Sequence, residues 1–60
     1  MNTYQENGYA NRREYLKALA ADNAVPEHEV VAIAELLGEV EDFDGLVTAV
    51  EDRGMELEEQ

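Results

Sequence analysis

The side chains best suited to chemistry in this sequence are carboxylates, and they come in close-set groups. Asp42, Asp44, Gly45 and Glu51 fall on positions 3, 5, 6 and 12 of an EF-hand frame, where calcium needs oxygen ligands and the loop needs a turn glycine. Position 1 of that frame is Val40, which has no ligand oxygen, and Leu46 to Val50 have helical spacing. Asp42 and Asp44 are therefore read as helix caps, and no metal site is expected. His28 lies between Glu27 and Glu29, an arrangement that suits a general base, but a base needs a nucleophile to activate. The chain has no Ser, no Cys, one Lys (Lys17) and no glycine-rich phosphate loop. His28 is read as a solvated side chain, and neither enzymatic activity nor a cofactor is expected.

What remains is charge. Fifteen acids face four basic residues, for a net −11 on 60 residues. The cations are Arg12, Arg13, Lys17 and Arg53, so the 35 residues from Ala18 to Asp52 hold ten acids and no Lys or Arg. Such a surface repels nucleic acid and anionic membrane and steers toward basic partners. On a helix, carboxylates three or four residues apart stand about 5–6 Å from each other, so rows of them on a rigid body imitate the phosphates of a duplex. Glu27, Glu35, Glu39, Glu41, Asp42, Asp44, Glu51 and Asp52 are the residues expected to occupy a partner's basic nucleic-acid channel. A competing reading is a helical protein–protein adaptor or antitoxin-like module. There an apolar patch with Tyr4, Tyr9 and Met55 holds a partner helix, and the acids only solubilise.

Those residues need a scaffold. A chain of this length buries only about 60% of its unfolded surface. With no cysteine and a single histidine, neither a disulfide nor structural zinc supports it. A compact aliphatic core must, in a monomer or weak homodimer. The 45% apolar content and its periodicity argue against disorder despite the charge.

The spacing predicts an all-α fold: one acidic domain over 1–60, with an irregular arm over 1–10, helices near 11–23, 26–38 and 43–53, and a fraying tail over 55–60. Asn7-Gly8 marks a turn in the arm, whose tyrosines are positioned to fold back on the core. Asn11 and Glu14 form a capping-box-like pair, and Asp22-Asn23 ends the first helix. Pro26 opens the second and Gly38 stops it; Asp42 or Asp44 caps the third and Gly54 closes it. The predicted core is Tyr15, Leu16, Leu19, Val30, Ile33, Ala34, Leu37, Phe43, Leu46, Val47 and Val50, with Val31 and Leu36 widening the second stripe. The connector Glu39 to Asp42 is expected to be exposed.

Ala20, Ala24, Val25, Val30 and Ile33 also occupy helix-turn-helix packing offsets, with Ala24 in place of the usual turn glycine. The would-be recognition helix, Pro26 to Leu37, exposes Glu27, Glu29 and Glu35 and has no cation. DNA phosphates would expel it, so direct DNA binding is not expected. Met1 to Ala10 has no basic or apolar segment of a signal peptide, and no apolar run suits a membrane span. The expected location is the cytoplasm.

The stretch NRREYLKALAADNAVPEHEVVAIAELLG, continuing through EDFDGLVTAVEDRG, resembles short acidic bacterial proteins carried on phages and mobile elements. Some proteins of this style are anti-CRISPR inhibitors, including ones directed at type I-C surveillance complexes. The resemblance covers about two-thirds of the chain and rests on length, acidity and the EDFDGLVTAVED segment. It implies a DNA mimic that blocks target recognition in the host bacterial cytoplasm, and it assigns no functional residue.

Overall fold

The computed structural model describes residues 2–59. It is all-α: α1 (Thr3–Glu6), α2 (Arg12–Asn23), α3 (Glu27–Leu37), a 3-10 turn (Glu39–Glu41) and α4 (Gly45–Glu58). Among the described residues there is no strand. The helices α2, α3 and α4 pack pairwise on one another around the core.

Local chemistry explains most of the boundaries. The side chain of Asn11 accepts a hydrogen bond from the Glu14 N–H, so α2 starts where the cap places it. At the far end Ala24 takes a left-handed conformation (φ 54°, ψ 41°), and the Val25 N–H reaches back to the Ala20 carbonyl at 3.0 Å. That is a Schellman closure, and Ala20 and Val25 are both buried in the core beneath it. The left-handed residue is thus Ala24 and not Asn23. Pro26 then fixes the entry to α3, and Gly38 (φ 88°) ends it.

The buried core is Tyr15, Leu16, Ala20, Val25, Val30, Ala34, Leu46 and Val50. Leu19 and Ile33 pack against it part-buried, and Val47 is half-buried. Leu37 and Phe43, expected inside, keep 38% and 40% of their surface exposed, and Leu36 lies almost wholly in water. The chain leaves α3 at Gly38, and part of the helix's last turn stays open to solvent.

Two expectations about the ends are corrected. The arm is not wholly irregular: Thr3–Glu6 is a helical turn closed by a full capping box between Asn2 and Gln5. Tyr4 and Tyr9 do fold back, with ring centroids 5.9 and 5.0 Å from Tyr15. At the other end Gly54 does not stop the helix, and α4 continues through the supposed fraying tail to Glu58. Gly54 is buried, and a Cβ there would lie 2.6 Å from the backbone oxygen of Asn23. The glycine therefore allows α4 to approach the end of α2, which brings Leu57 against the core. Met1 and Gln60, the outermost residues of the arm and tail, lie outside the described residues.

Candidate interaction surface

Asp42 must be removed from the expected surface. It is fully buried (0% exposed) and does not cap α4. Its carboxylate accepts two hydrogen bonds from Arg12, Nε to Oδ2 at 2.7 Å and Nη2 to Oδ1 at 2.9 Å, and a third from the Tyr4 hydroxyl at 2.6 Å. Arg12 Nη2 also donates to the Ala34 carbonyl, and the Tyr15 hydroxyl donates to the Asp42 backbone oxygen at 2.6 Å. The Asp42 carboxylate thus ties the arm and α2 to the connector, and Arg12 extends the link to α3. The bidentate geometry is what a buried carboxylate needs to offset its desolvation.

The titration behaviour follows from this geometry. Burial alone would raise the Asp42 pKa, but the hydrogen bonds from Arg12 and Tyr4 and the Arg12 charge outweigh it, so the value falls below the ordinary one. Tyr4 is pushed up to about 12, first by burial and then by its hydrogen bond to Asp42. Burial likewise raises Tyr15. Nothing in the sequence near Asp42 signals these contacts, because its partners are 38, 30 and 27 residues away.

The other carboxylates reach the surface but do not share one face. Glu27 and Glu35 line an open groove of about 760 Å³ between α2 and α3, together with Arg12, Arg13, Leu16, His28 and Val31. Glu39 lines a second depression with Asn2, Thr3, Tyr4, Val40 and Phe43. Glu51 stands with Asp22 and Glu58 where α4 meets the end of α2. Asp44 and Asp52 are exposed, and Asp44 holds the N-cap position of α4 without a side-chain hydrogen bond. The Glu41 carboxylate, half-buried, lies against Gly45 at the start of α4, where the helix dipole favours a negative charge.

Asp22 and Glu58 belong with Glu51 and were missed from sequence. Glu51 and Glu58 are seven residues apart on α4 and so share a side, which was a legible signal. Asp22 joins them only through the α2–α4 approach. Glu29 is spent internally: Arg53 Nε donates to it at 2.7 Å across α3 and α4, and also reaches Glu56. Two of the four cations are therefore engaged with acids, while Arg13 and Lys17 are exposed one turn apart on α2.

In the EF-hand frame Asp42 is paired with Arg12, and Leu46 to Val50 are helical. Of the residues named for an adaptor patch, Tyr4 and Tyr9 come together on Tyr15, and Met55 is apart from them. Tyr4 and Tyr9 pack inward, and Met55 lies beside Glu51 and Glu58 at a different depression. No helix among the described residues is long and apolar enough to cross a membrane. Comparison with protein-family models, with curated proteins and with solved structures found no match for the chain.

Proposed function

We propose that this protein is an acidic binding module that occupies the basic nucleic-acid channel of a partner and so competes with nucleic acid. The observation that carries this reading is that six of the eight nominated carboxylates are exposed on helices and tight joints, while two of the four cations are already engaged with acids. Charges held on a packed scaffold compete without a large ordering cost. Magnitudes limit the likeness to DNA. The molecule is 40 Å long, and a duplex of that length carries about 24 phosphates at one per ~1.7 Å, against a net −11 here. Competition thus rests on acids displayed around a slim body and not on duplex charge density.

The resemblance to anti-CRISPR inhibitors makes a type I surveillance complex the first partner to test. A gel-shift competition with the purified complex and its target duplex should show the chain displacing DNA. Reversing Glu35, Glu39 and Asp44 to Lys, each a change of two charges, should abolish displacement while far-ultraviolet circular dichroism stays helical. Asp42 is left untouched because it holds the fold. If the wild-type chain binds the complex while DNA loads normally, the competitor reading is wrong.

A further inference from the structure

We infer that the depression lined by Val40 and Phe43, with the exposed Leu36 four residues before Val40 in the chain, is the docking point for a basic amphipathic segment of a partner protein, one presenting apolar side chains flanked by Lys or Arg. The inference rests on the reading of the partner as a basic protein and adds where, and by what chemistry, contact becomes specific. In a chain with so small a core, Leu36 and Val40 are left 85% and 92% exposed. Both lie at the junction of α3 and the 3-10 turn, and Phe43 follows three residues later. Val40 and Phe43 line one open depression of about 450 Å³ whose wall includes Tyr4.

The floor is stiff. Phe43 stacks on Tyr15 at 4.5 Å and lies 5.7 Å from Tyr4, and both tyrosines hydrogen-bond to Asp42. An apolar platform held this way binds without first having to order itself.

Charge selects the occupant. Glu39 lines the depression, and Glu41 and Asp44 flank Phe43 in the chain, with no Lys or Arg between Ala18 and Asp52. The cation that approaches this site from α2, Arg12, has its guanidinium on the buried Asp42. A second copy of the chain would bring one acidic rim against another, each molecule at −11. A partner segment with basic flanks satisfies rim and floor together, which diffuse acidity alone does not require.

The test uses a synthetic amphipathic helical peptide of leucine and lysine, with an oligolysine of equal charge as control. Binding to the full chain is followed by amide chemical shifts and by fluorescence anisotropy. The expected result is saturable binding of the leucine–lysine peptide with shifts concentrated on residues 35–44, weakened at least tenfold in the Leu36→Ser/Val40→Ser double variant, and no such focus with oligolysine. Both substituted side chains are exposed, so the variant should keep the wild-type melting temperature. Equal binding by wild type and variant, or shifts spread over all acidic positions, would overturn the proposal. So would a concentration-dependent dimer, or insertion into zwitterionic vesicles, lost in the variant, since either assigns the site to another occupant. In the DNA competition the two ideas fail differently. A double variant that displaces DNA as well as wild type removes the docking site and leaves the competitor reading standing. A wild-type chain that never displaces DNA removes the competitor reading, and the peptide measurement still decides the docking site.

Discussion

At the scale of single residues the Arg12–Asp42 pair decides the most, and its two ends are not equivalent. Asp42 is fully buried, whereas the Arg12 side chain keeps 26% of its surface in contact with solvent. Arg12→Met strands a buried carboxylate and should cost about 3–5 kcal/mol. Asp42→Asn frees an arginine that can turn toward water and keeps some hydrogen bonding, so about 1–3 kcal/mol is expected. Against a total stability of about 3–9 kcal/mol for this length, urea unfolding should show Arg12→Met losing half or more of its stability and Asp42→Asn losing clearly less. The same site sets an acid limit. Because the folded pKa of Asp42 is lowered, its carboxylate stabilises the fold above the ordinary Asp value of about 3.9. That contribution is lost as pH falls from there through the folded value. Thermal unfolding at successive pH values should therefore show wild type losing stability in this acid window, and Asp42→Asn lacking that loss.

At the scale of elements, two exchanges between glycine and alanine should act against helix propensity. Ala24 holds the left-handed closure of α2 (φ 54°), a conformation in which a Cβ costs about 1–2 kcal/mol. Ala24→Gly should stabilise by up to about 1 kcal/mol, because that relief exceeds the added entropy of the unfolded chain. Gly54→Ala would gain about 1 kcal/mol of propensity in the middle of α4. Its Cβ meets a backbone oxygen at 2.6 Å, however, and backbone cannot swing aside as a side chain can. A net loss of about 1–3 kcal/mol is expected from the forced separation of α4 and α2. Melting temperatures of the two variants should move in opposite directions. A rise for Gly54→Ala would mean that the crossing is looser than the geometry described.

At the scale of the molecule, the net −11 opposes compaction, and few ion pairs offset it. Salt shortens the reach of that repulsion from about 10 Å at 0.1 M to about 3 Å at 1 M. The melting temperature should rise by several degrees between low and high sodium chloride, since a 1 kcal/mol gain shifts a domain this small by about 4–8 °C. Binding to a basic partner should weaken many-fold over the same range. Opposite salt responses of stability and affinity are the signature expected of a charged surface used for binding. A melting temperature that falls with salt would place net stabilisation in the ion pairs instead.

Whatever depends on neighbours in the chain was legible beforehand. The all-α class, the three main helices, the caps at Asn11 and Gly38 and the buried stripe of Tyr15, Leu16, Val30, Ala34, Leu46 and Val50 follow from helical period and cap chemistry. So does the charge asymmetry between Arg12–Lys17 and the residues beyond. Tertiary packing decided the rest. Asp42 reads as one more surface acid until Arg12, Tyr4 and Tyr15 converge on it from distant positions. Gly54 reads as a stop until the carbonyl of Asn23 accounts for its missing side chain. Leu36 reads as part of a core stripe, and is left in water because no other element arrives beside its side of α3. A side chain's type is written in the sequence, but its burial depends on which other element arrives beside it, and no local pattern records that.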